Sequence, residues 1–112
     1  MAVNVQDLIT RIVYGVFLNN ILIYIGSTHL PMNTLEYNHR NWKEKNYSET
    51  KFRKNLTDNE KYINAEFRVL AQYDKCTLRQ IETLEGKLIR AFKPEFNVDM
   101  DPVASSIAYG RY

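Results

Sequence analysis

The chain has 112 residues, 45% hydrophobic and 25% charged, with four Gly and three Pro, which fits one globular domain and excludes collagen-like, low-complexity and disordered classes. Fifteen Lys and Arg against thirteen Asp and Glu leave a net charge of +2, too mild to name a nucleic-acid partner without knowing where the charges lie. A lone Cys76 excludes an internal disulfide and a multi-cysteine zinc cage, and fits a reducing compartment.

Met1 to Thr10 carries no basic leader, and the longest mostly apolar stretch, Ile12 to Leu18, is far short of the ~20 residues that span a bilayer. A soluble, intracellular protein with no membrane partner is expected. Arg11 to Leu18 (RIVYGVFL) and Ile21 to Ile25 (ILIYI) are crowded with branched and aromatic residues, and Asn19-Asn20 between them predicts a hairpin. Ile12, Val16 and Leu22 share one parity and Val13, Phe17, Ile21 and Ile25 the other, so these strands should be covered on both faces.

After Gly26-Ser27-Thr28 and Pro31, Asn33 followed by Glu36 has the spacing of a capping box, which predicts a helix from Thr34 to Asn46. A second short helix is expected from Ser48. Phe67, Val69, Ala71 and Tyr73 alternate with Glu66, Arg68, Leu70 and Gln72, the period of a third strand. Thr77 with Gln80 repeats the capping box, and Leu78, Ile81, Leu84, Leu88, Ile89 and Phe92 keep helical spacing until Pro94. The expected fold is a single α/β domain, a small three-stranded antiparallel or mixed sheet flanked by helices, with its motif-bearing core over about 11–97. The slightly acidic tail beyond Asn97 should pack or fray.

One residue does not belong in its stripe. Leu78, Ile81, Glu85, Leu88 and Phe92 advance by three or four, so Glu85 lies in the face its apolar neighbours mark as buried. A carboxylate there needs a cation, a protein donor or a proton. The spacing leaves open an Arg or Lys partner, an edge position reaching water, and a metal ion.

From Asn38 to Lys54 there are six bases (Arg40, Lys43, Lys45, Lys51, Arg53 and Lys54) against two acids, with Trp42, Tyr47 and Phe52 interleaved. Such a segment is either a solvated helical face over packed aromatics or a surface that neutralises phosphates. His29 reads as an exposed loop histidine and Cys76 as a packing residue.

Three features taken together resemble the GIY-YIG endonuclease family. They are Tyr14 in Ile12-Val13-Tyr14, Tyr24-Ile25-Gly26-Ser27-Thr28 ten residues after Tyr14, and the run from Glu85 through Pro94-Glu95-Phe96-Asn97. The resemblance covers nearly the whole chain. It implies that Tyr14 and Tyr24 face a scissile phosphate, that Glu85 binds one Mg²⁺ or Mn²⁺, that Asn97 supports the site, and that His39 takes the place of a helix His or Tyr. The implied activity is metal-dependent hydrolysis of a DNA phosphodiester with no small-molecule cofactor, one nick per site, with a homodimer needed if both strands are cut together. The chain's compactness resembles stand-alone phage or mobile-element members.

Two departures stand out: Ile12 replaces the family's first glycine, and Leu35 sits four residues before His39, where most members carry a phosphate-binding arginine. Arg40, Lys43 and Arg53 are the bases from which a substitute would come. Without one, the chain would be a nuclease-derived DNA-binding or interaction module. A basic α/β RNA-binding domain is the third reading, in which Glu85 meets an Arg or Lys instead of a cavity.

Hairpin register tests the pairing of the tyrosines. A plain two-residue Asn19-Asn20 turn sends Tyr14 and Tyr24 to opposite faces, whereas a three-residue loop sets them across from each other. A shared site needs the odd loop or a bulge.

Overall fold

The computed structural model describes residues 8–98. The expectation for the tail, apart from its first residue, lies outside them. The strands are β1 (Ile9–Leu18), β2 (Ile21–Thr28) and β3 (Glu66–Cys76), and the helices are α1 (Met32–Arg40), α2 (Lys51–Asp58), α3 (Leu78–Phe92) and α4 (Glu95–Val98). A 3-10 turn, Glu60–Tyr62, follows α2. All pairing is antiparallel and the strand order is β2-β1-β3, so the sheet is a small α/β one flanked by helices.

The hairpin resolves the register question with a bulge. Asn19 and Asn20 both have positive φ, 52° and 64°, as a tight two-residue turn between right-twisted strands requires. Leu18 pairs with Ile21 and Phe17 with Leu22, but Val16 pairs with Tyr24, so Ile23 is the extra residue. Beyond it the register is shifted by one, Tyr14 falls opposite Gly26, and Tyr14 and Tyr24 lie on one face.

Two apolar layers follow. Tyr14, Val16, Leu18 and Ile23 pack with Leu35, Phe52, Leu56, Tyr62 and Phe96 on the α1 and α2 side. Val13 and Ile25 pack with Cys76 and Ile81 on the α3 side, joined by Leu22, Ala71, Leu84, Leu88 and Ile89. β1 and β2 are covered on both faces as expected. β3 is not, because Val69, Leu70 and Tyr73 along it stay exposed.

α3 begins at its expected capping box: Thr77 Oγ1 accepts from Gln80 N, and Thr77 N donates to Gln80 Oε1. Its buried face is narrower than the apolar spacing implies, since Leu78 and Phe92 at its ends are exposed. α1 differs from expectation in both bounds. Pro31 rather than Asn33 precedes the first turn, its carbonyl accepting from Leu35 N at 2.9 Å, so the helix opens at Met32. Glu36 is not part of a capping box but pairs with Arg40 at 2.9 Å. Residues 41–46 form turns instead of continuing the helix. α2 opens at Lys51, capped by Thr50 Oγ1 accepting from Arg53 N, rather than at Ser48.

Candidate active site

Tyr14, Tyr24, His39 and Glu85 converge on one cleft of about 330 Å³, together with Arg53, Tyr47, Arg11 and the loop Ser27-Thr28-His29. Each is carried by a different feature of the fold. The bulge in β2 brings the tyrosines to one face, with ring centroids 6.2 Å apart. Gly26 lets Tyr14 lie flat over the neighbouring strand, because a β-carbon there would sit 2.8 Å from Tyr14 Cε1 and closer still to its hydroxyl. Tyr24 stacks on Phe52 with centroids 4.1 Å apart, which pins the first turn of α2 beneath it. His39 is delivered by the buried face of α1 and Glu85 by that of α3.

The phenol of Tyr14 is 2% exposed, and its Oη lies 3.0 Å from His39 Nε2. On the other side of the ring, Arg53 Nε donates to His39 Nδ1 at 3.3 Å. A guanidinium has no acceptor, so Nδ1 must carry the lone pair. A neutral imidazole then holds its hydrogen on Nε2 and donates it to Tyr14 Oη. Burial, and after it the Arg53 charge, pull the His39 pKa down to about 3, so the neutral form persists throughout the physiological range.

Tyr14 is pushed the opposite way. Burial first, then the neighbouring Tyr24 and the Glu85 carboxylate, hold its phenol well above the ordinary range, while Arg53 opposes them. Ionisation of this phenol therefore depends on positive charge brought into the cleft.

Asn97 has a different role from the cleft residues. Its Oδ1 accepts from Ile25 N at 2.7 Å and its Nδ2 donates to Ile25 O at 3.1 Å. The side chain behaves as a one-residue strand on the outer edge of β2, holding the backbone between Tyr24 and Gly26. It supports the site without lining it.

The basic residues divide sharply. Arg53 lines the cleft. Arg40 does not: it is held by Glu36 and by the Ala65 carbonyl, with its guanidinium 5.6 Å from the Phe67 centroid. Lys43 lies over Trp42, and Lys51 and Lys54 are exposed on α2, so these are surface groups. Sequence reasoning did not single out Arg11, Tyr47 or His29 as cleft residues. Arg11 reaches the cleft with its Nε donating to the Cys76 carbonyl at 2.9 Å. Tyr47 stands edge-on to His39 and carries Arg53 at 4.7 Å from its ring, and its only sequence signal was an aromatic inside a basic run.

The donor chemistry suits a hard divalent ion. Glu85 is a buried carboxylate on an open cleft, and such ions complete their coordination with water and phosphate oxygens. Among the described residues there is no group of three or more His, Cys, Asp or Glu able to hold a metal, and Glu85 is the acidic residue among those that line the cleft. Among them, too, no helix is long and apolar enough to cross a membrane. No family model, curated protein or solved structure matches the chain.

Proposed function

We propose that the chain is a divalent-metal-dependent DNA endonuclease of the GIY-YIG type, hydrolysing one phosphodiester per site in the cleft between β2, α1, α2 and α3. The observation that carries this reading is the convergence of Tyr14, Tyr24, His39 and Glu85, residues far apart in sequence, on one cleft that also contains an arginine. Hydrolysis needs a water, an acceptor for its proton, and positive charge for the oxygens that become negative. When bound at Glu85, Mg²⁺ or Mn²⁺ supplies that charge to the phosphate and leaving oxygen. His39 donates its Nε2 hydrogen to Tyr14 and so stabilises a phenolate rather than taking the phenol's proton. Tyr14 then accepts the proton of the attacking water as the phenolate, its own proton having first passed to solvent through the open cleft. Tyr24 stands beside it, its ring centroid 6.2 Å away, and is held by the Phe52 stack.

A soluble location inside the cell, with DNA as partner, follows from the same reading. In the competing reading the chain binds DNA without cutting it, and the buried Leu35 in the cleft wall favours that alternative. Supercoiled plasmid separates the two. The purified chain is expected to give open circles with Mg²⁺ or Mn²⁺ and none with EDTA; intact plasmid under both conditions overturns the nuclease reading.

Binding should follow the charge map. Lys54→Gln, on the exposed face of α2, is expected to weaken DNA binding uniformly across sequences and to lower the slope of log K on log salt by about one unit. Filter binding over a salt series checks this, and an unchanged slope removes Lys54 from the interface.

A further inference from the structure

Arg53 has an unusual set of neighbours for a half-buried cation. Its Nε donates to His39 Nδ1, and its Nη1 donates to the Ser48 carbonyl at 2.7 Å and to Ser48 Oγ at 3.1 Å. All three acceptors are neutral, and its guanidinium rests on the neutral ring of Tyr47. Among the described residues no carboxylate pairs with it, and Nη2 has no hydrogen-bond partner. The group is nevertheless fixed: Arg53 N is tied to the Thr50 cap, and the adjacent Phe52 is 2% exposed under Tyr24. An oriented guanidinium with two N–H groups to spare, lining a cleft, complements an oxyanion whose oxygens can meet a planar fork.

We propose that Arg53 has two linked roles in this cleft: its Nε holds His39 as the Nε2–H tautomer that donates to Tyr14, and its Nη2 hydrogens take an oxygen of a DNA phosphate. The second role rests on the nuclease reading, since it names DNA as the source of the phosphate. The first does not. The linkage is geometric, because one planar group serves both, so a phosphate drawn to Nη2 leaves Nε on the imidazole. Rotation of the guanidinium to free Nε would instead let Nδ1 compete for the hydrogen that Tyr14 receives.

The test uses the full chain labelled with ¹⁵N at histidine, with His29→Gln to assign the two rings. Long-range proton-nitrogen correlation at neutral pH should show His39 with a bare Nδ1 and a protonated Nε2. In Arg53→Met the tautomer preference is lost. Affinity for a short DNA duplex in EDTA falls about tenfold or more, the loss expected when one charge-assisted hydrogen bond is removed, and the salt slope drops by about one unit. Arg53→Lys restores the slope, because charge is enough for it, but only part of the affinity, because the fork is gone. A protonated Nδ1 in the wild type overturns the proposal and needs no variant to fold. So does an Arg53→Met protein that keeps both the tautomer and the affinity. A chain that passes these tests and never nicks plasmid defeats the nuclease reading alone, so the two failures are distinguishable.

Discussion

Glu85→Ala is expected to bind DNA as the wild type does and to lose Mg²⁺-dependent nicking by about a thousandfold or more, the scale of several kcal/mol of transition-state charge stabilisation. The fold should survive. Glu85 sits in the middle of α3, whose start is fixed by the Thr77–Gln80 capping box and whose anchor, Ile81, is 1% exposed, and neither depends on the carboxylate. Alanine is also the better helix former. Glu85→Gln is the sharper variant because it keeps the shape and removes the charge. Single-turnover relaxation of plasmid against Mg²⁺ concentration, with melting temperature as control, checks both. Turnover unchanged in Glu85→Gln would detach the carboxylate from the reaction and leave the cleft without a metal ligand.

How much of this site could be read from the sequence depends on how local each signal is. The α3 capping box and the period-two run of β3 are contained in a few adjacent residues, and both elements formed where expected. Glu85 stood out because an acid inside an apolar stripe is a contradiction visible at helical spacing. The α1 start departs from expectation because Pro31 competes with Asn33 for the same boundary: a ring that fixes φ, followed by a carbonyl free to accept from Leu35, starts the helix earlier than a side-chain cap would.

The bulge had no local signal at all. Leu22, Ile23 and Tyr24 are all apolar, so nothing in composition says which one is extra, and only the demand that both tyrosines share a face pointed to it. Arg53 shows a further limit. Its charge placed it among the DNA-contacting bases, but its bond to His39 depends on how α1 and α2 meet, a tertiary relation fourteen residues apart that no periodicity encodes.

Acid should destabilise the wild type through His39 and spare His39→Gln. The sign follows from burial. The imidazole is 3% exposed and its pKa is lowered to about 3, from an unfolded value near ~6.5, so below that value the unfolded chain binds a proton the folded chain refuses. Stability from this group is therefore full above the unfolded pKa and is lost as pH falls from there towards the folded one, at up to about 1.4 kcal/mol per pH unit. Glutamine preserves the hydrogen-bonding pattern, one end accepting from Arg53 and the other donating to Tyr14, yet cannot titrate. Between about pH 8 and about pH 4.5 the wild type should lose about 2–3 kcal/mol more than His39→Gln in urea unfolding, since carboxylates common to both cancel in the difference. Parallel curves for the two proteins would mean that His39 accepts a proton in the folded state, which its position between a guanidinium donor and a buried phenol does not allow.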